Sequence, residues 1–376
     1  MKKLLFLHFF KDTVKFFLII CLSISLIVWI IQAVKFLDFV TEDGHSMYVY
    51  FLYTLHNFPK IIHRVLPFVF FISLFYQINN YEIRNELIIF WTIGISKFKF
   101  VKFILTLSAI FFVIQFILGG FISPWSQNKA RSYIKNSNLG FFPSLIKEGK
   151  FIDTVKNLTI FIESENKPGS YNNIFIKEDY DSSFDSSKII IAKYGLLKSI
   201  GDKKYLQLFN GKIINKSSQK INDFSFEKID FDLMKFGSKS ISHPKIQELN
   251  SSLLIKCLIY ESKGIAEQLE SEILMCTKKS SKFIQEEILK RFLKPIYLPL
   301  LSLIASLIIF VSKEDKKFIF YKGIFFFIGV FTIIFSEITL RYSSESLYGK
   351  FVFIAIPLIV LTTIFIYLFK KDKKIK

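Results

Sequence analysis

The residues able to do acid–base or metal chemistry in this chain are few and scattered. Five histidines, His8, His45, His56, His63 and His243, lie far apart, and none stands four residues from a second histidine as helical zinc sites require. His8 and Asp12 sit beside an apolar run but miss the H-x-x-x-x-D spacing of a membrane acyltransferase. No G-x-x-x-x-G-K-[ST] run is available to cradle a nucleotide, so any mechanical work must draw its energy from a partner. Cys21 lies in an apolar run, which leaves Cys257 and Cys276 as the one candidate pair in polar sequence, with no metal cluster implied. No catalytic residue, metal or cofactor is assigned to the chain.

What remains is a pair of carboxylates around the stretch NELIIFWTIGIS at 85–96. A helix from Asn79 to about Ile93 would place Asn79, Glu82 and Glu86 on one face and Ile83, Leu87, Phe90 and Trp91 on an apolar stripe, with Gly94 as its stop. Two readings stand. The helix could lie on lipid headgroups with its carboxylates in water. Alternatively it is a coupling helix, near 79–96, that inserts into a motor protein and offers its carboxylates to a cationic groove.

The elements around this stretch are membrane spans. The 376 residues are 51% hydrophobic and 17% aromatic, yet carry a net charge of +19. The cations gather at the ends of apolar runs and in polar loops, not in one stripe, so a membrane protein is expected and nucleic acid is not a partner. Apolar runs long enough to cross about 30 Å of hydrocarbon occupy Phe16–Val34, Ile61–Ile78, Phe103–Ile122, Phe292–Val311, Phe318–Leu340 and Phe351–Phe369. The first is too long for a signal peptide and lacks a cleavage site, so it is expected to be retained. Lys2, Lys3, Lys11 and Lys15, then Arg84, Lys97, Lys99 and Lys102, then Lys313, Lys316, Lys317 and Lys322 alternate with loops poorer in Lys and Arg. Together with the basic tail from Lys370, they place both termini and the 79–96 stretch in the cytoplasm.

The long middle segment then lies outside. From Gly149 to Leu233, short runs such as LTIFIES, KIIIAKYGLL and FSFEKIDFDL are separated by Lys167-Pro168-Gly169-Ser170, Asp181-Ser182-Ser183 and Gly201-Asp202, the pattern of an antiparallel sandwich or jelly roll. Phe224 and Phe226 differ in parity from Ile229, Phe231 and Leu233, so a bulge near Glu227-Lys228 is needed to keep both sets inward. From Ser251 to Arg291 a helical period returns through Ile265, Leu269, Ile273, Ile284 and Ile288. The fold class is thus an α+β membrane protein with 3+3 helices and an external antiparallel β-jelly roll between them. Its divisions are 1–122, 123–291 (jelly roll plus helical connector) and 292–376.

In this order and topology the chain resembles the LptF/LptG permeases, which extract lipopolysaccharide from the bacterial inner membrane. The resemblance is carried by Glu86-Leu87 followed by Gly94-Ile95-Ser96, by Glu287 and Arg291 ahead of Pro295, and by the layout of spans. Pro124-Trp125-Ser126 and Ile160-Phe161-Ile162-Glu163-Ser164 look closer to LptF than to LptG. The likeness implies an LptG-like partner permease, an LptB-like ATPase that binds the ATP, an LptC-like single-span protein, and lipopolysaccharide and membrane lipid as ligands. It implies that Glu82, Glu86, Leu87, Gly94, Ile95 and Ser96 couple to the ATPase. Lys35 and Arg291 would meet lipid phosphate, though an interfacial anchor explains Lys35 equally well. Inward-facing Phe161, Phe175 and Phe226 would line a lipid path, or else form ordinary sheet core. The rivals are a permease of the macrolide or lipoprotein export type, which places its external domain after the first span, and a membrane-anchored receptor or scaffold.

Overall fold

The structure, a computed structural model, describes residues 2–37, 40, 46–137, 148–155, 157–167, 169–179, 187–200, 203–217, 220–232, 245–262, 281–311, 313–344 and 346–375. Cys276, His45, His243, Leu233, the helical positions Ile265, Leu269 and Ile273, and parts of the three predicted turns lie outside these residues. The expected six apolar helical stretches are present: Lys2–Lys35, Met47–Ile83, Lys97–Ile134, Ser281–Phe310, Phe318–Ser343 and Tyr348–Lys373. They are longer than the uncharged runs because charged ends continue the same helices. The sheet lies between the third and fourth in the chain, so the fold is that of an α+β membrane protein.

By contacts the chain forms two compact units: one of residues 1–30, 57–128 and 245–376, the other of 31–56 and 129–244.

In the helical unit, α1 (Lys2–Lys35) buries Phe9, Thr13, Phe17, Cys21 and Ser25. This i,i+4 ridge is lined with small residues, and close backbone approach substitutes for a hydrophobic driving force that lipid does not provide. After α2 (Met47–His56), whose residues group with the other unit, α3 (Phe58–Ile83) forms the second span here and keeps Pro67 inside it. The third span is α5 (Lys97–Ile117), a π-helical turn at Leu118–Ile122, and α6 (Ser123–Ser137); the short α4 that precedes it belongs to the site below. Later come α7 (Ser251–Ser262), α8 (Ser281–Phe292), α9 (Tyr297–Ser306) with a 3-10 turn at Leu307–Phe310, α10 (Phe318–Ser343) and α11 (Leu347–Ile375). Helix α9 is buried along most of its length, which makes it the central post of the unit. Phe71 of α3 fills the space where a side chain at Gly329 of α10 would stand.

The other unit carries β1 (Phe151–Val155), β2 (Leu158–Lys167), β3 (Ser170–Asp179), β4 (Ser187–Ile200), β5 (Lys203–Ser217) and β6 (Lys220–Asp232), each antiparallel to the next in one sheet. The alternation of short strands was legible, but the connectivity is a sequential meander. The two sheets of a jelly roll are not formed among the described residues. Short turns explain this, since a link such as Lys167–Ser170 returns the chain to its immediate neighbour.

One face holds the sheet's core, with Ile160, Ile162, Ile174, Ile176, Ile190 and Ala192 on one half and Tyr171, Leu206, Leu208 and Phe231 on the other. The predicted parity switch exists, but it is not a bulge in β6 alone. Glu163, Asn173, Lys193, Asn210 and Glu227 fall in one column across five strands; pairing lapses there and resumes in the same register on either side. Asn173 and Asn210 take left-handed backbone, φ 44 and 48, which asparagine tolerates better than most residues. A crease shared by β2 to β6 flips inward parity without costing register. Burial pushes the Tyr171 phenol up to about 12, aided by the Glu165 carboxylate, so it remains a neutral hydroxyl.

Candidate coupling site at the 84–96 loop

The expected single helix over 79–93 is two helices. Helix α3 stops at Ile83, Asn85 turns left-handed at φ 59, and α4 (Glu86–Thr92) begins afresh. Asparagine at this position permits the break. Its consequence is that Glu82 and Glu86 no longer share a face. Glu82 ends the second span, half-buried and within the fields of Lys97 and Lys313, whereas Glu86 opens α4 at 34% side-chain exposure beside Arg84. Lys313 also donates to the Ile83 carbonyl at 2.8 Å and to Asn85 Oδ1 at 3.2 Å, closing the end of α3.

The stop of α4 is as expected, with Gly94 at φ 75. The Gly94 amide donates to the Trp91 carbonyl and the Ile95 amide to the Phe90 carbonyl, both at 3.0 Å, the two bonds of a Schellman ending. Phe90 and Ile95 are 2% exposed and Leu87 is fully buried, so the apolar contact that accompanies such an ending is present. Leu87 and Ile95 anchor the helix from beneath. Outward, α4 presents Glu86, Ile88 at 52%, Ile89 at 47% and Thr92. Ser96 caps α5, accepting from the Lys99 amide at 3.2 Å.

Beneath α4 lies an aromatic bed. Phe6 meets Phe90 at 5.7 Å between centroids, Phe100 meets Phe90 at 5.1 Å and Trp91 at 5.9 Å, and Phe9 meets both Phe100 and Tyr81 at 5.1 Å. Tyr81 in turn donates to Asp12 at 2.5 Å. On the other side Lys97 donates to the Ile309 carbonyl at 2.9 Å and stands over the Trp91 and Phe310 rings. The start of α1 and the turn after α9 thus both hold the loop. Hydrophobic spacing had not predicted this bed, since Phe6, Phe9 and Phe100 fall outside the uncharged runs assigned as spans.

The remaining candidates separate. Arg291 is 1% exposed. Its Nε donates to Glu287 at 3.0 Å, Nη1 to the Leu249 carbonyl and Ser251 Oγ at 2.9 Å, and Nη2 to the carbonyls of Gln247 at 3.0 Å and Ile246 at 3.5 Å. A guanidinium has five N–H donors, and these contacts use them all. Arg291 thus clamps α8 to the 246–251 segment; Ser251 extends the clamp by donating to the Gly120 carbonyl. Lys35 is exposed on the last turn of α1. Phe161 and Phe175 pair across β2 and β3, with Phe151 at 4.7 Å from Phe161, on the face opposite the Ile160–Ile162 core. The expectation that they face inward is overturned by parity. Phe226 does lie on the core face, packed over Gly211.

Comparison with known proteins agrees with this architecture. The chain is 24% identical over 204 residues, 54% of its length, to the uncharacterized protein RP871 of Rickettsia prowazekii (strain Madrid E), and the match spans 56% of that relative. The family model described as lipopolysaccharide export system permease LptF/LptG matches residues 7–371, which takes in both groups of spans, the sheet and the 84–96 loop, and the chain belongs to the LptF/LptG permease family.

Proposed function

We propose that this chain is one permease half of an exporter that lifts lipopolysaccharide out of the inner membrane and passes it to a periplasmic bridge. A partner ATPase would dock on the outward face of α4. Both termini and the 84–96 loop would lie in the cytoplasm, and the sheet in the periplasm, with a second permease and a single-span protein completing the assembly.

The observation that carries this reading is the contrast within α4. Leu87, Phe90 and Ile95 root the helix in the bundle, while Glu86, Ile88 and Ile89 are left outside. Two exposed isoleucines beside a carboxylate suit a groove with an apolar floor and a cationic rim.

The physical need for a partner follows from the cargo. Exposing one twelve-carbon chain to water costs on the order of 10 kcal/mol, at about 0.8 kcal/mol per CH₂. An apolar route through the protein removes most of that cost, so the ATPase need only ratchet the lipid outward. Replacing Glu86 by alanine is expected to reduce ATPase recovered with the chain, or lipid released, by tenfold or more at unchanged membrane yield. Full recovery together with full release would refute the docking role.

A further inference from the structure

The start of α5 is a helix N-terminus whose first amides need acceptors. Ser96 serves the Lys99 amide. The Phe98 amide is served from far away in sequence, by Asp372 Oδ1 at 3.2 Å. Asp372 stands alone among lysines in the stretch Lys370-Lys371-Asp372-Lys373-Lys374, yet it is turned inward and 8% exposed. Its neighbours on α11 reinforce the contact. Phe365 and Phe369 each meet the Phe98 ring at 5.1 Å, and Lys371 stands over the Phe310 ring that also receives Lys97.

The geometry points to Asp372 as a positioning residue that ties the last span to the trailing end of the coupling loop. A carboxylate at this helix end gains from the aligned peptide dipoles as well as from the hydrogen bond. Without Asp372, α11 would hold the loop by ring contacts alone, and those permit sliding. With it, a displacement of α4 passes through Gly94–Ser96 to the start of α5 and from there to α11. The part of this inference that concerns transmission rests on the proposed docking of an ATPase at α4; the clamp itself does not.

The test uses full-length chain in membranes, with and without the partner subunits. Hydrogen exchange of the 94–100 peptide is measured on wild type, Asp372→Ala and Asp372→Asn. Alanine is expected to speed exchange at the start of α5 about tenfold, while asparagine, which keeps an acceptor oxygen, stays within about threefold of wild type. In the assembled complex, alanine is expected to lower lipid released per ATP hydrolysed at least fivefold with ATPase recovery unchanged, and asparagine to restore most of it. Unaltered exchange in Asp372→Ala, or asparagine behaving like alanine in both assays, overturns the clamp. Faster exchange with an unaltered release ratio overturns transmission. A wild-type chain that recovers no ATPase sinks the docking proposal and, with it, the transmission step, while the exchange result still decides the clamp.

Discussion

Arg291 and Glu86 are both charges next to a membrane span, one expected to meet lipid and the other an ATPase, and the structure treats them in opposite ways. Arg291 gives its donors to two side chains and three backbone carbonyls and keeps 1% of its surface. Glu86 keeps a third of its side chain open, with a single Arg84 nitrogen 4.0 Å away. The lesson is one of accounting. A charge whose hydrogen-bonding capacity is filled inside the protein works on the fold, whereas one left unfilled, on a helix rooted from below, is available to something else.

The comparison breaks first, if it breaks, at Arg291. Arg291→Ala should cost about 3–5 kcal/mol, because it strands the buried carbonyl acceptors around it and leaves the Glu287 carboxylate with Lys290 alone, 3.7 Å away. Thermal unfolding in detergent should show a large drop or no recoverable protein. Arg291→Lys should recover only part of the loss, since three donors cannot replace five in a planar fork. A stable Arg291→Ala protein that had lost lipid contact would restore the lipid-binding reading and remove the contrast.

Next in size is the stop of α4. At Gly94, φ 75, a β-branched side chain is strained although nothing crowds the site, so Gly94→Val should cost about 1–3 kcal/mol and Gly94→Asn much less. Proteolysis of the 84–96 loop would report the difference. The crease in the sheet obeys the same physics at Asn210, φ 48. Asn210→Val should lower the sheet's stability by about 1–2 kcal/mol, and Asn210→Gly should be near neutral. Equal effects of valine and glycine would mean that the left-handed turn there is not what sets the parity.

These positions also show how far the sequence could be read. Spans were legible because nothing but a helix satisfies its own backbone in lipid, and the strands because apolar residues alternate between Gly- and Pro-marked turns. Gly94 was legible as a stop, since its freedom at positive φ is a property of the residue itself. Asn85 was not, because an asparagine inside a helical pattern announces no break until Lys313, more than two hundred residues later, arrives to close the helix end. Asp372 was missed for the same reason: in the sequence it dilutes a basic tail, and only the fold brings it to Phe98. Phe161, Phe175 and Phe226 were grouped by residue type, whereas their faces were decided by a crease whose members lie on five strands.

That division of faces gives a finer test. A photoreactive residue replacing Phe226 samples the core face, and one replacing Phe161 or Phe175 samples the reverse face. If lipid passes along the core face, adducts should form at 226 at least fivefold more than at 161 or 175. The opposite ratio would move the path to the face where Phe151 stands 68% exposed.

The smallest effect on stability is expected at Glu86 itself. No partner is stranded by its removal, because the Arg84 contact is long and solvated, and α4 is held by Leu87, Phe90 and Ile95. Glu86→Ala should therefore leave the melting free energy within about 0.5 kcal/mol of wild type, although the same substitution is expected to weaken ATPase association. Ile88→Ser and Ile89→Ser should behave alike, since both side chains are already outside. The pairing of an intact fold with a lost partner is what separates a contact residue from a clamp. If Glu86→Ala instead destabilised the isolated chain as much as Arg291→Ala does, Glu86 would belong to the fold, and the outward face of α4 would lose its claim to a partner.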